Sequence, residues 1–268
     1  MQKSIKKNYL FNTAYQILTL ITPLITTPYV SRILGADGIG TYSFADSVTS
    51  YFVLAATMGI SIYGQREISY LQNDKKKRSI VFWNTKILEC ITTFITLIIF
   101  LLFAIHSKNS IIFLVLSMNI ISVAFDITWL FQGMEEFGII TIRNTVFKLL
   151  NIAFVFIFVK DKNDLIIYIA GIAGFALISN ISLWTRVYKY VEGPKRVEIN
   201  PFKNIRIVFS LFIPTIAIQV YTVLDKTMIG LITKDSFQNG YYEQAIKISR
   251  MALMLVTSLG TVMIPRIG

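Results

Sequence analysis

A chain of 268 residues that is 54% hydrophobic and only 15% charged, with mean hydropathy +0.61, stands outside the range of soluble domains, which are about 45–50% apolar and about 25% charged. Those figures exclude an ordinary soluble domain and imply an integral membrane protein. The net charge of +11 excludes no partner by itself, but the basic residues alternate from loop to loop and form no single patch, which argues against nucleic-acid binding.

The start, Met1 to Asn8, is basic and leads into an apolar run longer than a signal peptide's core of about 7–15 residues. It is expected to be a retained first span. Runs of about 20 apolar residues suffice to cross the hydrocarbon, and eight can be marked: 9–33, 40–63, 83–105, 111–131, 139–159, 165–188, 207–232 and 241–264. The expected fold is therefore an all-α polytopic membrane protein.

Loops on one side hold fifteen basic residues, including Lys3, Lys6, Lys7, Lys75 to Arg78, Arg143 and the group from Arg186 to Arg206. Loops on the other side hold five, Arg32, Lys108, Lys160, Lys162 and Lys234. By the positive-inside rule the N-terminus, a long 64–82 loop, the 132–138 turn and the 189–206 segment face the cytoplasm of a multi-pass cell-membrane protein. The outward loops, 34–39, 106–110, 160–164 and 233–240, are short.

Cys90, the only cysteine, excludes an internal disulfide or cysteine metal centre and reads as a small core residue. His106 ends a span beside Ser107 and Lys108 and reads as surface polar. No cofactor is expected. The turn at Gln132 to Gly138 must lie at the membrane surface, since a turn inside lipid leaves backbone groups unsatisfied. There Gly133 and Gly138 relax the chain, Glu135 and Glu136 stay wet, and Trp129, Phe131 and Phe137 are expected to anchor helix ends.

The basic 189–206 segment, with Pro194 and Pro201, is the best domain boundary. It divides a six-helix bundle, 1–188, from two helices of a second bundle, 207–268. Six spans return the chain to the same side, so a second bundle would repeat the first about an axis along the membrane normal. A short echo fits this: G-x-Y-x-x-A occurs at Gly40 to Ala45 and at Gly240 to Ala245, each opening the second span of its half.

Polar residues recur along helix faces within the spans. Asn8, Asn12, Tyr15, Thr19, Thr22 and Thr26 share a face of the first span; Tyr42, Asp46 and Thr49 one of the second. Thr215, Gln219, Thr222 and Lys226, beside Asp225, mark the seventh, and Glu243, Lys247, Arg250, Thr257 and Thr261 the eighth. Threonines alone serve as glue between helices, at about 0.6 kcal/mol per contact. Ionised groups at mid-depth cost about 2.5–3.5 kcal/mol each and need a solvated cavity. Glu243 pairs with Lys247 one turn on, which leaves Arg250 as surplus charge. Lys86 and Glu89, three apart, can neutralise each other, and Lys148 shares a face with Asn144 and Asn151.

Four segments carry a family resemblance. W-L-F-Q-G-M-E-E-F-G-I-I-T-I-R-N at Trp129 to Asn144, V-L-D-K-T-M-I-G at Val223 to Gly230, G-Y-Y at Gly240 with the terminal I-P-R, and R-I-L-G with G-I-G-T-Y at Arg32 to Tyr42 resemble polysaccharide exporters of the O-antigen flippase (Wzx-like) family. That family belongs to the multidrug/oligosaccharidyl-lipid/polysaccharide exporter superfamily. The resemblance implies a MATE-like arrangement of two six-helix bundles, of which this chain looks like the first plus two helices of the second. It implies flipping of an undecaprenyl-pyrophosphate-linked oligosaccharide between leaflets, with a polysaccharide polymerase and chain-length machinery as partners. On that reading Lys226, Lys247 and Arg250, beside Asp225, neutralise the pyrophosphate, while Gln219, Asp46, Lys148 and Arg143 complete the candidate substrate site. Two other readings are a cation-coupled multidrug antiporter, for which an acidic cavity is expected, and a membrane enzyme, for which the loops offer no catalytic constellation. An inactive truncated fragment is a further alternative.

Overall fold

The computed structural model describes the backbone of residues 5–194 and 199–267, and side chains from Leu18 to Leu253 apart from 20, 195–198, 251 and 252. The described residues are helical almost throughout, with no strand, and six segments are long and apolar enough to span a membrane. The fold is all-α and polytopic, as composition requires.

The first of those segments is two spans in one. Helix α1 (Ile5–Thr57) bends at Gly35, whose φ of 67° and ψ of 176° lie in a region essentially reserved for glycine. The expected loop 34–39 thus shrinks to one residue, and helix resumes at Ala36. At Met58 and Gly59 the backbone turns left-handed, then α2 (Ile60–Tyr70) continues to the end of the second span. Only 71–74 separate it from α3 (Lys75–Ile105), so the long loop expected over 64–82 is mostly helix.

Local chemistry explains that compaction. Asp74 caps α3, accepting the Lys77 amide at 3.0 Å, and this bond holds its carboxyl below the usual carboxylate range. The buried Arg78 guanidinium donates to the Leu71 and Gln72 carbonyls at 3.2 and 2.6 Å, and to the Tyr190 carbonyl at 2.9 and 2.7 Å. One arginine thus fastens the 71–74 turn to the start of the 191–204 linker.

Helix α4 (Ser110–Phe125) stops at Asp126, and a short α5 (Thr128–Gly133) follows. Trp129 and Phe131 are 1% and 0% exposed. They are core residues packed with Ile68, Phe82 and Tyr190, and do not anchor a helix end as expected from ring type. Gly133 serves close packing of α5 on α2, since a Cβ there would meet Ile68 at 2.7 Å; Gly138 meets nothing. The break at Asp126 is supported by Lys86, which donates to the Asp126 carbonyl at 2.8 Å and pairs with Glu89 at 2.7 Å. Both are buried, so the pairing expected from their spacing is present. Cys90, by contrast, is exposed, on the same stripe of α3 as the exposed Phe94 and Ile98. A cysteine in an apolar run faces outward as readily as inward when the outside is lipid.

The chain continues through α6 (Phe137–Phe158), α7 (Leu165–Ser182), α8 (Val187–Tyr190), α9 (Ile205–Thr233) and α10 (Ser236–Ile267). Arg143, grouped by sequence with the turn, lies within α6. Helices α9 and α10 pack on α1, and α9 also touches α2. The bundle has two ends: a Gly35 end with the turns at 106–109, 159–164 and 234–235, and a linker end with those at 71–74 and 134–136 and the non-helical stretches 191–194 and 199–204.

Candidate functional site

A cavity of about 430 Å³ lies between α1, α4, α7 and α9. Its α1 wall is Asp46, Thr49, Ser50, Val53, Leu54 and Thr57, the residues that a 3.6-residue period places on one face. Asn119, Ser122, Val123 and Asp126 come from α4 and its end, Ala176 and Asn180 from α7, and Gln219 from α9. Among the described residues the lining thus offers two carboxylates, three amides and several hydroxyls, and includes no lysine or arginine.

These groups are held in place. The Thr49 and Ser50 hydroxyls donate to the Ala45 and Asp46 carbonyls at 2.7 and 2.8 Å, which leaves their lone pairs as acceptors. The Asn180 amide donates to Ser122, at 2.8 Å to the hydroxyl and 3.1 Å to the carbonyl. Its oxygen accepts from Arg143 at 3.1 Å, and Arg143 is itself fixed by the Asn144 side chain at 2.7 and 3.0 Å.

At the Gly35 side of this cavity sits a charged cluster. Glu243 of α10, buried, accepts from Ser43 of α1 at 3.0 Å and pairs with both Lys226 of α9 and Lys247, the latter at 3.4 Å. Asp46 lies near enough to feel Lys226, Glu243 and Lys247. Thr227 adds a contact between helices, its hydroxyl hydrogen-bonded with those of Ser47 at 3.0 Å and Tyr51 at 3.3 Å. Two ammonium groups thus share the Glu243 carboxylate, with Asp46 on the cavity wall close by.

Two glycines bring Glu243 to α1. A Cβ on Gly40 would fall on the Ser236 carbonyl, and one on Gly240 would fall on the Ala36 carbonyl. The contacts are reciprocal: Gly40 meets Ser236 as Gly240 meets Ala36, an exchange by 200 positions, the same separation as between Ser43 and Glu243. The two G-x-Y-x-x-A segments therefore cross each other, and their fourth residues are hydrogen-bonded.

Of the residues singled out by sequence, Asp46 and Gln219 line the cavity, and Lys226 and Lys247 form the adjoining cluster. Arg143 stands behind Asn180. Asp225 is on the exposed side of α9, accepting from Tyr242 at 2.7 Å, and Arg250 is exposed and donates to the Thr222 carbonyl at 3.5 Å. Lys148 is half-buried on α6, away from the lining. Thr22, Thr26 and Thr222 donate to carbonyls of their own helices at 2.6, 2.9 and 2.9 Å, so their hydroxyl protons are not spent between helices. Asn8, Asn12, Tyr15, Thr257 and Thr261 have side chains outside the described ones.

Sequence reasoning missed the central place of Glu243 and the roles of Ser43, Asn119 and Asn180. The signal was present for each: Ser43 and Glu243 hold the same place in the echo, and Asn119 and Asn180 are lone amides in apolar runs.

Comparison with known proteins gives a consistent picture. A family model described as polysaccharide biosynthesis protein matches residues 5–268. A candidate O-antigen transporter of Escherichia coli (strain K12) is 24% identical over 278 residues, covering 99% of this chain and 65% of that protein. One from Shigella dysenteriae is 23% identical over 275 residues, covering 98% and 67%. The chain thus spans about two thirds of the length of these relatives. A solved structure titled protein A, 14% identical, superposes on all of this chain and 66% of its own with a TM-score of 0.65, a likeness of fold.

Proposed function

The chain belongs to the family of polysaccharide biosynthesis proteins, and on that premise we propose that it flips a lipid-linked oligosaccharide, carried on undecaprenyl pyrophosphate, across the cell membrane. One observation carries the reading: a cavity lined by Asp46, Asn119, Asn180 and Gln219 among membrane-spanning helices. Carboxylates and amides exchange donors and acceptors with sugar hydroxyls, and burying such groups in lipid without a polar ligand or water is costly.

In this reading the linker end is cytoplasmic, as its excess of basic residues favours, and so is the N-terminus. The oligosaccharide occupies the cavity, the lipid tail stays in the bilayer, and Lys226 and Lys247 meet the pyrophosphate, with Arg250 on the same face of α10 and Asp225 beside Lys226. Arg143 positions Asn180, and Lys148 is an outlying contact on α6. Residues 1–188 form one bundle and α9 and α10 begin another, the two rocking to expose the cavity to alternate sides. No bond is made or broken by the protein. The product passes to a polysaccharide polymerase with its chain-length machinery.

A second reading, a cation-coupled antiporter, is favoured by one specific observation, two carboxylates, Asp46 and Asp126, in a lining that holds no lysine or arginine among the described residues. Complementation of a flippase-deficient strain by the native protein separates the two. The flippase reading expects surface polysaccharide to be restored, Asn180→Leu and Lys226→Gln to reduce it, and Arg250→Gln to harm it more than Arg250→Lys. Normal export by the Asn180 and Lys226 variants would contradict it.

A further inference from the structure

Resting on that reading, we infer that Glu243 is a resident anion that latches the Gly35 end shut, and that a pyrophosphate group releases the latch by taking Lys226 and Lys247 from it. The carboxylate joins three helices at one point. Ser43 ties it to α1, Lys226 ties it to α9, and it is itself part of α10, where Lys247 holds it from the next turn. One turn nearer the Gly35 end, Gly40 and Gly240 put the α1 and α10 backbones in contact, and Ser236 hydrogen-bonds Asp37. The cavity wall runs from Asp46 to Thr57, away from this seal, so the seal stands between the cavity and that end of the bundle.

The latch follows from charge. Lys226 and Lys247 are both held by Glu243, so an arriving anion must take them from that carboxylate. Pyrophosphate, with more oxygens and more charge than a carboxylate, competes for both ammonium groups at once. A Glu243 side chain that loses its cations is a buried, unpaired charge, and it leaves its place against Ser43 for water. The contact holding α10 to α1 then reduces to the glycine crossing, which is free to part. A ligand can shift such an equilibrium only through different affinity for the two states, and here the difference is the competition with Glu243.

The test is disulfide cross-linking between Asp37→Cys and Ser236→Cys in the Cys90→Ala protein, purified at full length in detergent. The pair should cross-link readily. Glu243→Gln should lose most of the cross-link, and Ser43→Ala, which keeps both ion pairs, should lose part of it, with gel-filtration profile and thermal stability recording that each variant remains folded. Inorganic pyrophosphate should lower the yield in the parent and leave it unchanged when Lys226 and Lys247 are both glutamine. Full cross-linking in folded Glu243→Gln and Ser43→Ala proteins would overturn the latch, and a yield indifferent to pyrophosphate in the parent would overturn its release by that anion. Absence of oligosaccharide transport alongside these cross-linking responses would remove the flippase reading and leave the latch standing.

Discussion

Replacing Lys86 by methionine isolates the buried pair that supports the α4–α5 break. The substitution keeps an unbranched apolar stem and removes the ammonium. Glu89, 0% exposed, is then left without its cation at 2.7 Å, and the Asp126 carbonyl loses its 2.8 Å donor. Breaking a buried pair by removing one partner costs about 3–5 kcal/mol. An orphaned buried carbonyl adds about 1–3 kcal/mol. Together these come to about 4–8 kcal/mol, and at about 2–4 °C per kcal/mol for a chain of this order thermal unfolding in detergent should move down by roughly 8–32 °C. The double variant Lys86→Met, Glu89→Leu should recover much of that loss, because the stranded carboxyl is gone. A Lys86→Met protein as stable as wild type, or a double variant worse than the sum of the singles, would refute this account of the break.

Further outcomes can be checked directly. Gly133→Ala should destabilise by about 1–3 kcal/mol through overpacking, since its Cβ would stand 2.7 Å from Ile68 and 2.8 Å from the Gln65 carbonyl; Gly138→Ala, where nothing lies within 4 Å, should be neutral in the same melting assay. Arg143→Ala should lower export more than it lowers stability, because it frees the Asn180 oxygen held at 3.1 Å; equal export by the variant would show that Asn180 needs no support. In intact cells a cysteine at Lys76 should resist impermeant thiol reagents and one at Lys108 or Lys162 should react, and the reverse pattern would invert the proposed orientation.

Much of the fold was legible because lipid imposes a simple rule, a run of apolar residues per crossing, and charge placement grouped the turns by end. The Lys86–Glu89 pair was legible because partners three apart in a helix meet without help from the rest of the chain. What failed depended on neighbours. Trp129 and Phe131 are ring types that suit an interface, yet α2, α3 and α8 close over them. Gly35 bends a helix that composition alone reads as ended. The threonine stripes have the right period for contacts between helices, but several hydroxyls turn back on their own helix, a choice made by rotamer and invisible in spacing. Within the candidate site, Asp46, Gln219, Lys226 and Lys247 were found as ionised or amide groups in apolar runs. Glu243 was assigned a partner on its own helix, and its other two partners, Ser43 and Lys226, lie on different helices brought close by a glycine crossing.

The central claim, movement of a pyrophosphate-linked oligosaccharide through the polar cavity, is tested most directly by reconstitution. The native full-length protein would be placed in liposomes with undecaprenyl-pyrophosphate-linked oligosaccharide, and the share of sugar exposed to an added, impermeant glycosidase followed with time. The account predicts protein-dependent movement of sugar between leaflets, slowed by Asn180→Leu and by Lys226→Gln in samples that remain folded. Leaflet exchange no faster than in protein-free liposomes, or exchange that ignores both substitutions, would contradict it.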